Sequence, residues 1–424
     1  MNLNEAFLEL VDKNEFDFNS VDSTLKSICK KLNDVYYDEK SETSHIVLAG
    51  SAGRKTLIKG SDIDFCFILP NDVFERFKNR KGNIQSQLLS EISSKIKERY
   101  PNSDIGADGQ VIDANFKRTL IEIVPSFKEY EMLDQLTYPN THDNGSWLTT
   151  NPINQQKVVN DFLKIYPSYI YLCKIIRCWR LESDVKISGI VIDSLIHYFL
   201  NSQTDITYCA PPSNFDFLEK IKHFFDFLCS DNCPEVIQII GENDFINTKK
   251  NNFKKKAKKA YNKMAVADVS DLWDNLIDLF GAGFPDNPSE DVRNNGEMFI
   301  QNMYPVKITH NLVIDCDVVS NGFRTFRLRE RENNQLYNTF FVPVRMSLEF
   351  YIKECDVPEP YRIFWKVRNV GKKARERNDI RGSIVLGDKK HSEKSTFRGP
   401  HYVECYIVKN GICVARNKLN VPIQ

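Results

Sequence analysis

The stretch from Gly50 to Leu69 reads GSAGRKTLIKGSDIDFCFIL, with two carboxylates, Asp62 and Asp64, one residue apart at the head of an apolar run. Residues two apart on a strand project from one face. A strand here therefore puts both acids together and sends Ile63 and Phe65 to the opposite, core-facing side. Strands usually exclude paired carboxylates from such a place, because burying unpaired charge is costly. Two converging carboxylates make an oxygen-ligand site of the kind Mg²⁺ takes together with substrate phosphates. About ten residues earlier, Gly50 and Ser51 close the short apolar run HIVLAG. A glycine turn there lets backbone N–H groups and a hydroxyl approach a phosphate closely, and Arg54, Lys55 and Lys59 add positive charge beside it.

A two-metal displacement at phosphorus draws on a third carboxylate. Glu122 in TLIEIVPSF, flanked by Ile121 and Ile123, is the candidate, and Asp113 in VIDANF is its competitor. A lone DxD is common on solvated loops, a Gly-Ser pair is most often only a turn, and one glutamate is most often a strand-face charge. Specificity comes from the order: strand, Gly-Ser, DxD, strand, then a hairpin bearing an acid.

Around this core the chain changes texture twice. Residues 1–40 carry apolar positions at helical spacing, Phe7, Leu8, Leu10 and Val11, then Leu25, Ile28, Cys29 and Leu32. A further helix carries Leu88, Leu89, Ile92 and Ile96, and GQVIDANF and TLIEIVPSF read as a hairpin turning near Lys117 and Arg118 and closed by Pro125. Together these predict a small α/β domain on a mixed sheet over residues 1–150, with YPNTHDNGSWLTTNPINQQ as a polar, proline-bounded loop. A helical lobe over 151–287 follows, broken by GAGFPDNPSED. From about residue 300 to 424 short β-rich segments separated by turn residues predict a sandwich.

With 424 residues the chain exceeds one ordinary core. No run of 18 apolar residues occurs, so no membrane span is expected. Eleven cysteines lack a repeating CxxC, which predicts reduced thiols in a cytosolic protein. Net charge is zero but uneven: from Tyr361 to Gln424, 15 Lys and Arg face 5 Asp and Glu. That end meets an anion, or docks on an acidic module of the same chain. KKNNFKKKAKKAYNK, from Lys249 to Lys263, reads as a helix with Phe253, Ala257, Ala260 and Tyr261 inward and lysines outward. Such a face is solvated by default, with a polyanion contact as the alternative.

GSAGRKTLIKGSDIDF, IEIVPSF, DNGSWLTTNP and LWDNLIDLFGAGFP resemble the cGAS/DncV-like nucleotidyltransferases, or SMODS proteins, of the polymerase-β-like superfamily, over roughly residues 1–287. The resemblance implies a nucleotidyltransferase lobe and an α-helical lobe with the active site between them. It implies Asp62, Asp64 and Glu122 as catalytic and metal-holding residues, Gly50, Ser51 and Arg54 near the phosphates, and Lys174, Arg177 and Ser188 as triphosphate contacts from the helical lobe. The third acid is glutamate where the wider superfamily commonly has aspartate. FWKVRNVGKKARERNDIRG and STFRGPHYVECYIVKNGICVAR are similar to the adenylyl/guanylyl and SMODS C-terminal sensor domain (AGS-C), for which Trp365, Arg368, Lys372, Arg375, Arg381 and His401 offer an aromatic and basic set suited to a base and a phosphate. Trp365 in a sandwich core and His401 as a satisfied histidine are the plainer readings.

What the resemblance implies about activity is synthesis of a cyclic or linear oligonucleotide second messenger from NTPs with Mg²⁺ (or Mn²⁺). It also implies a bacterial antiphage role, a separate effector protein that binds the product, and a nucleic acid or phage-derived activator. An RNA 3′-end nucleotidyltransferase and a nucleotide sensor without turnover are the alternatives. A minimal transferase acting on a protein is disfavoured by length.

Overall fold

The computed structural model describes residues 2–116, 119–128, 134–248, 253–281, 283–285, 297–319, 325–329, 342–369, 374, 377 and 379–423. They divide into two compact units: 1–266 with 276–285, and 267–275 with 286–424. The turn expected at Lys117 and Arg118 lies outside the described residues, as do Lys372 and Arg375 and the first four residues of the lysine-rich run.

The first unit begins with helix α1 (Leu3–Lys13), capped by Asn2 and Glu5, each of which accepts the other's backbone N–H. Helix α2 (Asn19–Tyr37) buries Ile28, Cys29 and Leu32, as their spacing requires. Strand β1 (Ile46–Leu48), the single turn α3 (Gly50–Gly53) and strand β2 (Ile63–Ile68) come next. They are followed by α4 (Asn71–Lys78), α5 (Ile84–Arg99), β3 (Asp104–Asp108), β4 (Val111–Phe116), β5 (Thr119–Lys128), β6 (Leu136–Asn140) and β7 (Ser146–Thr150).

These seven strands form one mixed sheet in the order β1-β2-β5-β4-β3, with β6 paired to β5 and β7 to β6. β2 and β5 run parallel and the other pairs antiparallel. The core lies on one face, where Phe65, Phe67, Ile121 and Ile123 pack with Ile28 and Leu32 of α2 and with Leu88, Leu89, Ile92 and Ile96 of α5. The opposite face carries the acids.

Two expectations need correction. The segment read as a polar loop is the hairpin β6–β7. Its turn places Asp143, Asn144 and Gly145 at positive φ (53°, 69° and 97°), a conformation those residues tolerate best. Trp147 then packs on Phe74 and Phe127, with ring centroids 5.2 and 5.7 Å apart. Likewise Pro125 does not end its strand, since β5 continues to Lys128. The proline falls between the stretch paired with β4 and that paired with β6, where a strand tolerates a residue without an N–H.

The helical lobe belongs to the same unit: α6 (Pro152–Ile165), α7 (Tyr169–Glu182), α8 (Gly189–Asn201) and α9 (Phe217–Cys229), then a small hairpin of β8 (Val236–Gln238) and β9 (Phe245–Asn247), and α10 (Phe253–Met264); of α11 (Val269–Phe280) only the part from Leu276 falls in this unit. Most of α7 is buried, around its whole circumference, as befits the central helix of a bundle. α10 buries Phe253, Ala257 and Ala260 and leaves Lys254, Lys255, Lys258 and Lys259 exposed. The β8–β9 hairpin was not anticipated; three-residue strands are too short to show a period.

The second unit is the expected sandwich. One antiparallel sheet has the order β11 (Phe326–Arg327), β10 (Leu312–Val319), β12 (Ser347–Cys355), β15 (Lys390–Lys394). The other has β14 (Arg381–Gly387), β13 (Arg362–Asn369), β16 (Gly399–Lys409), β17 (Ile412–Ile423). Its core takes Ile314, Cys316, Leu348 and Phe350 from the first sheet and Trp365, Val403, Cys405 and Leu419 from the second. All eleven cysteines are free thiols. No helix among the described residues is long and apolar enough to cross a membrane.

Candidate active site

β2 and β5 lie side by side in parallel with Asp64 opposite Glu122. Their alternation sends both acids to the face left open by the core. One carboxylate oxygen each from Asp62, Asp64 and Glu122 lies within 4.8 Å of the others, the spacing of a cation site. Asp113 is the cross-strand partner of Glu122 on β4, yet the three-acid group does not include it. Burial pushes the Asp64 carboxyl well above its ordinary range, and the neighbouring Asp62 and Glu122 push it further, with Arg54 opposing. Crowded acids of this kind hold a proton in place of a cation, and a divalent ion relieves the same repulsion. The donor set, all carboxylate oxygen, suits a hard cation such as Mg²⁺.

The Gly-Ser turn is attached to this group directly. The Ala49 N–H donates to the Asp64 carbonyl at 2.9 Å. Gly50 has φ +53°, and a Cβ there would overlap the Asp64 carboxylate. Only glycine brings the turn this close to the acid. Ser51 is buried, and its carbonyl accepts from the Thr56 N–H at 2.9 Å.

Arg54 and Arg177, read from the sequence as substrate-binding, give their guanidinium groups to Asp193 on α8. Arg54 Nε donates to Asp193 Oδ2 at 2.8 Å, Arg177 Nη2 to the same oxygen at 2.8 Å, and Thr56 Oγ1 at 2.9 Å. Arg54 Nη1 also donates to Gln155 Oε1 at 2.7 Å. Burial raises the Asp193 carboxyl, but Arg177 and Arg54 outweigh it and hold it below the ordinary range. This buried cluster ties the turn after α3 to three helices. Sequence reasoning missed Asp193, although an acid inside GIVIDSLIHYF was the available signal, because a buried charge needs a partner.

Lys174 is nearly buried and pairs with Glu15. Both line a groove of about 660 Å³ that also takes Lys55, Leu57 and Tyr171. Lys55 donates to Asn160 Oδ1 at 2.7 Å, and Lys59 is exposed. Ser188 is exposed before α8 and makes no capping bond with its side chain.

In the second unit, Trp365 is a core residue whose Nε1 donates to the Asp388 carbonyl at 2.8 Å. Arg368 pairs with Glu297 at 3.0 Å. Arg381 and His401 instead line one cavity. Of the four, two belong to the scaffold and two to a space a ligand could enter.

A mixed sheet that offers three carboxylates to cations on its open face, with a glycine turn against them, is that of a nucleotidyltransferase. The chain's sequence narrows this. Residues 1–162 match the Second Messenger Oligonucleotide or Dinucleotide Synthetase domain (SMODS) and residues 294–424 the Adenylyl/Guanylyl and SMODS C-terminal sensor domain, and the chain belongs to the SMODS, or CD-NTase, family. A comparison with curated proteins finds no match. Among solved structures, the E. coli MS115-1 CdnC:HORMA-deltaN complex is similar at TM-score 0.48 and 14% identity, over 66% of this chain and 98% of that one. Bradyrhizobium diazoefficiens CD-NTase CdnG in complex with GTP is similar at TM-score 0.47 and 11% identity, over 66% and 95%. Elizabethkingia meningoseptica CdnE cyclic dinucleotide synthase with GTP and Apcpp gives TM-score 0.40 and 14% identity, over 57% and 92%.

Proposed function

We propose that this chain joins nucleoside triphosphates into a cyclic or short linear oligonucleotide second messenger, with Asp62, Asp64 and Glu122 as its catalytic and metal-holding residues. The observation that carries the reading is the approach of these three carboxylates to within 4.8 Å beside a turn that only glycine can form. A divalent cation, Mg²⁺ or Mn²⁺, bound by these three acids supplies charge neutralisation at the triphosphate. Gly50 and Ser51 orient the phosphates through backbone N–H groups and a hydroxyl, and the Ser188 hydroxyl and Lys174 ammonium contribute from the helical lobe. Lys174 reaches a phosphate by exchanging its bond to Glu15.

The Glu122 carboxylate accepts the proton of an acceptor ribose 2′- or 3′-hydroxyl. The freed oxygen attacks the α-phosphorus in line, a new P–O bond forms, and the bond to pyrophosphate breaks. Positioning and charge neutralisation supply most of such catalysis. Arg54 and Arg177 act through Asp193, holding the turn in place. In this reading the product serves bacterial antiphage signalling through a separate effector protein.

The test is incubation with all four NTPs and Mg²⁺, phosphatase treatment and mass analysis. Oligonucleotides built from NTPs alone support the proposal. Label incorporated only when RNA is added defeats it in favour of 3′-end addition, and no pyrophosphate release defeats the enzyme reading itself.

A further inference from the structure

The sandwich unit holds a cavity of about 450 Å³ between its two sheets. This is within the range of small-ligand pockets. Its apolar walls come from both sheets: Leu348 and Phe350 on one, Val367, Val403, Val421 and Ile423 on the other. Facing sheets lie about 10 Å apart, so a space between them admits a flat body more readily than a round one.

The polar groups at the cavity are acceptor-rich. Among its described lining residues Arg381 and Lys394 are the cations, against Glu349, Asp379 and Glu393. Arg381 is already occupied, donating from Nη1 and Nη2 to the two oxygens of Glu393 at 2.6 and 2.8 Å. Glu393 also pairs with His391 Nε2 at 2.9 Å. The buried His401 has Nδ1 2.8 Å from Asn369 Oδ1 and Nε2 3.2 Å from the Phe397 carbonyl. Asn369 Nδ2 donates to the Asp379 carbonyl at 2.6 Å. The half-buried Asp379 carboxylate remains, with no side-chain hydrogen bond or ion pair to another described residue. Strand alternation turns Glu349 and Lys394 to the face opposite Leu348, Phe350 and Glu393, so a phosphate entering here meets the Asp379 carboxylate and a guanidinium already neutralised by Glu393. A flat ring bearing N–H donors meets apolar faces and acceptors.

We propose that this cavity binds an uncharged, amino-substituted heteroaromatic ring of the nucleobase type, read by Asp379, and that it excludes phosphates. The site is separate from the acids of the transfer reaction, so its test can fail without touching that reaction, and the reverse.

Hydrogen–deuterium exchange on the full-length chain tests it with guanosine, inosine and GTP as probes. Guanosine should slow exchange in peptides covering residues 347–350 and 401–403. Inosine, which lacks the exocyclic amine, should need about 10-fold or more higher concentration, as loss of one paired contact implies. GTP should protect these peptides no better than guanosine. Asp379→Asn should erase the difference between guanosine and inosine, and Val421→Trp should abolish protection by filling the cavity. Should Val421→Trp fail to fold, Val367→Phe, at a half-buried position, takes its place. The proposal is overturned by guanosine leaving both peptides unprotected at its solubility limit, by GTP protecting them where guanosine does not, or by a folded cavity-filled variant still responding.

Discussion

Replacing Asp193 by asparagine removes the one carboxylate shared by Arg54 and Arg177 while keeping its shape. Asp193 is fully buried, and both arginine side chains are only 5% exposed. Neither guanidinium can shed its charge, so the variant leaves two buried cations facing an amide. Breaking a buried pair in this way costs about 3–5 kcal/mol, a large share of the roughly 5–15 kcal/mol that keeps a domain folded. At about 2–4 °C per kcal/mol, the melting temperature of the first unit should drop by on the order of 10 °C.

Thermal and urea denaturation of the full chain read this directly. A second variant separates stability from positioning: Arg54→Met, Asp193→Leu and Arg177→Met together replace the charges with apolar groups. Such replacement is often neutral or stabilising, so this variant should melt near the wild type. Its turnover should stay low, because the turn that carries Gly50 and Ser51 has lost its anchor. An Asp193→Asn chain that melts within about 2 °C of wild type refutes the energetic reasoning. A triple variant with normal turnover refutes the positioning role.

Three further outcomes are expected. Glu122→Gln should lower turnover by about 10²- to 10⁴-fold with little change in melting temperature, whereas Asp113→Asn should have the milder effect on pyrophosphate release; the reverse ranking would reassign the third acid. Gly50→Ala should cost about 100-fold or more in turnover, since the added Cβ displaces the Asp64 carboxylate, and wild-type turnover in that variant would show that the approach is not required. Because Asp64 holds its proton to a higher pH when folded than when unfolded, stability falls as pH rises from the unfolded carboxylate range, near 3.9, through the raised folded value, and levels off above it. Mg²⁺ competes with that proton, so the gain in melting temperature on adding Mg²⁺ should grow across the same window; equal gains at its two ends would contradict the proton–metal exchange.

The parts of the fold legible in the sequence are those where one residue cannot be placed two ways. Asp62 and Asp64 cannot both enter a core, so they marked the open face of β2 and, with it, the direction of Ile63 and Phe65. Glu122 and Asp113 were harder to separate, because both sit among alternating apolar residues and they are cross-strand partners; the choice depends on reach across the sheet. The β6–β7 hairpin was hidden because its polar strands carry little apolar alternation, and its stability depends on Trp147 finding Phe74, far away in sequence. Local sequence shows the charges of Arg54 and Arg177 but not their partner. Asp193, 139 residues beyond Arg54, is that partner. In the sandwich, Trp365 followed the plain reading of a large aromatic on a strand.

The parallel pairing of β2 with β5 bears on when the enzyme becomes competent during synthesis. Parallel neighbours need a long connection, and here α4, α5, β3 and β4 must all be made between Asp64 and Glu122. In the proposed reaction, a nascent chain that has already produced Asp62 and Asp64 therefore cannot spend nucleotide until the intervening elements have emerged and the strand bearing Glu122 has docked. Under the proposed mechanism, products that stop before Glu122 lack the third acid and are silent by topology alone.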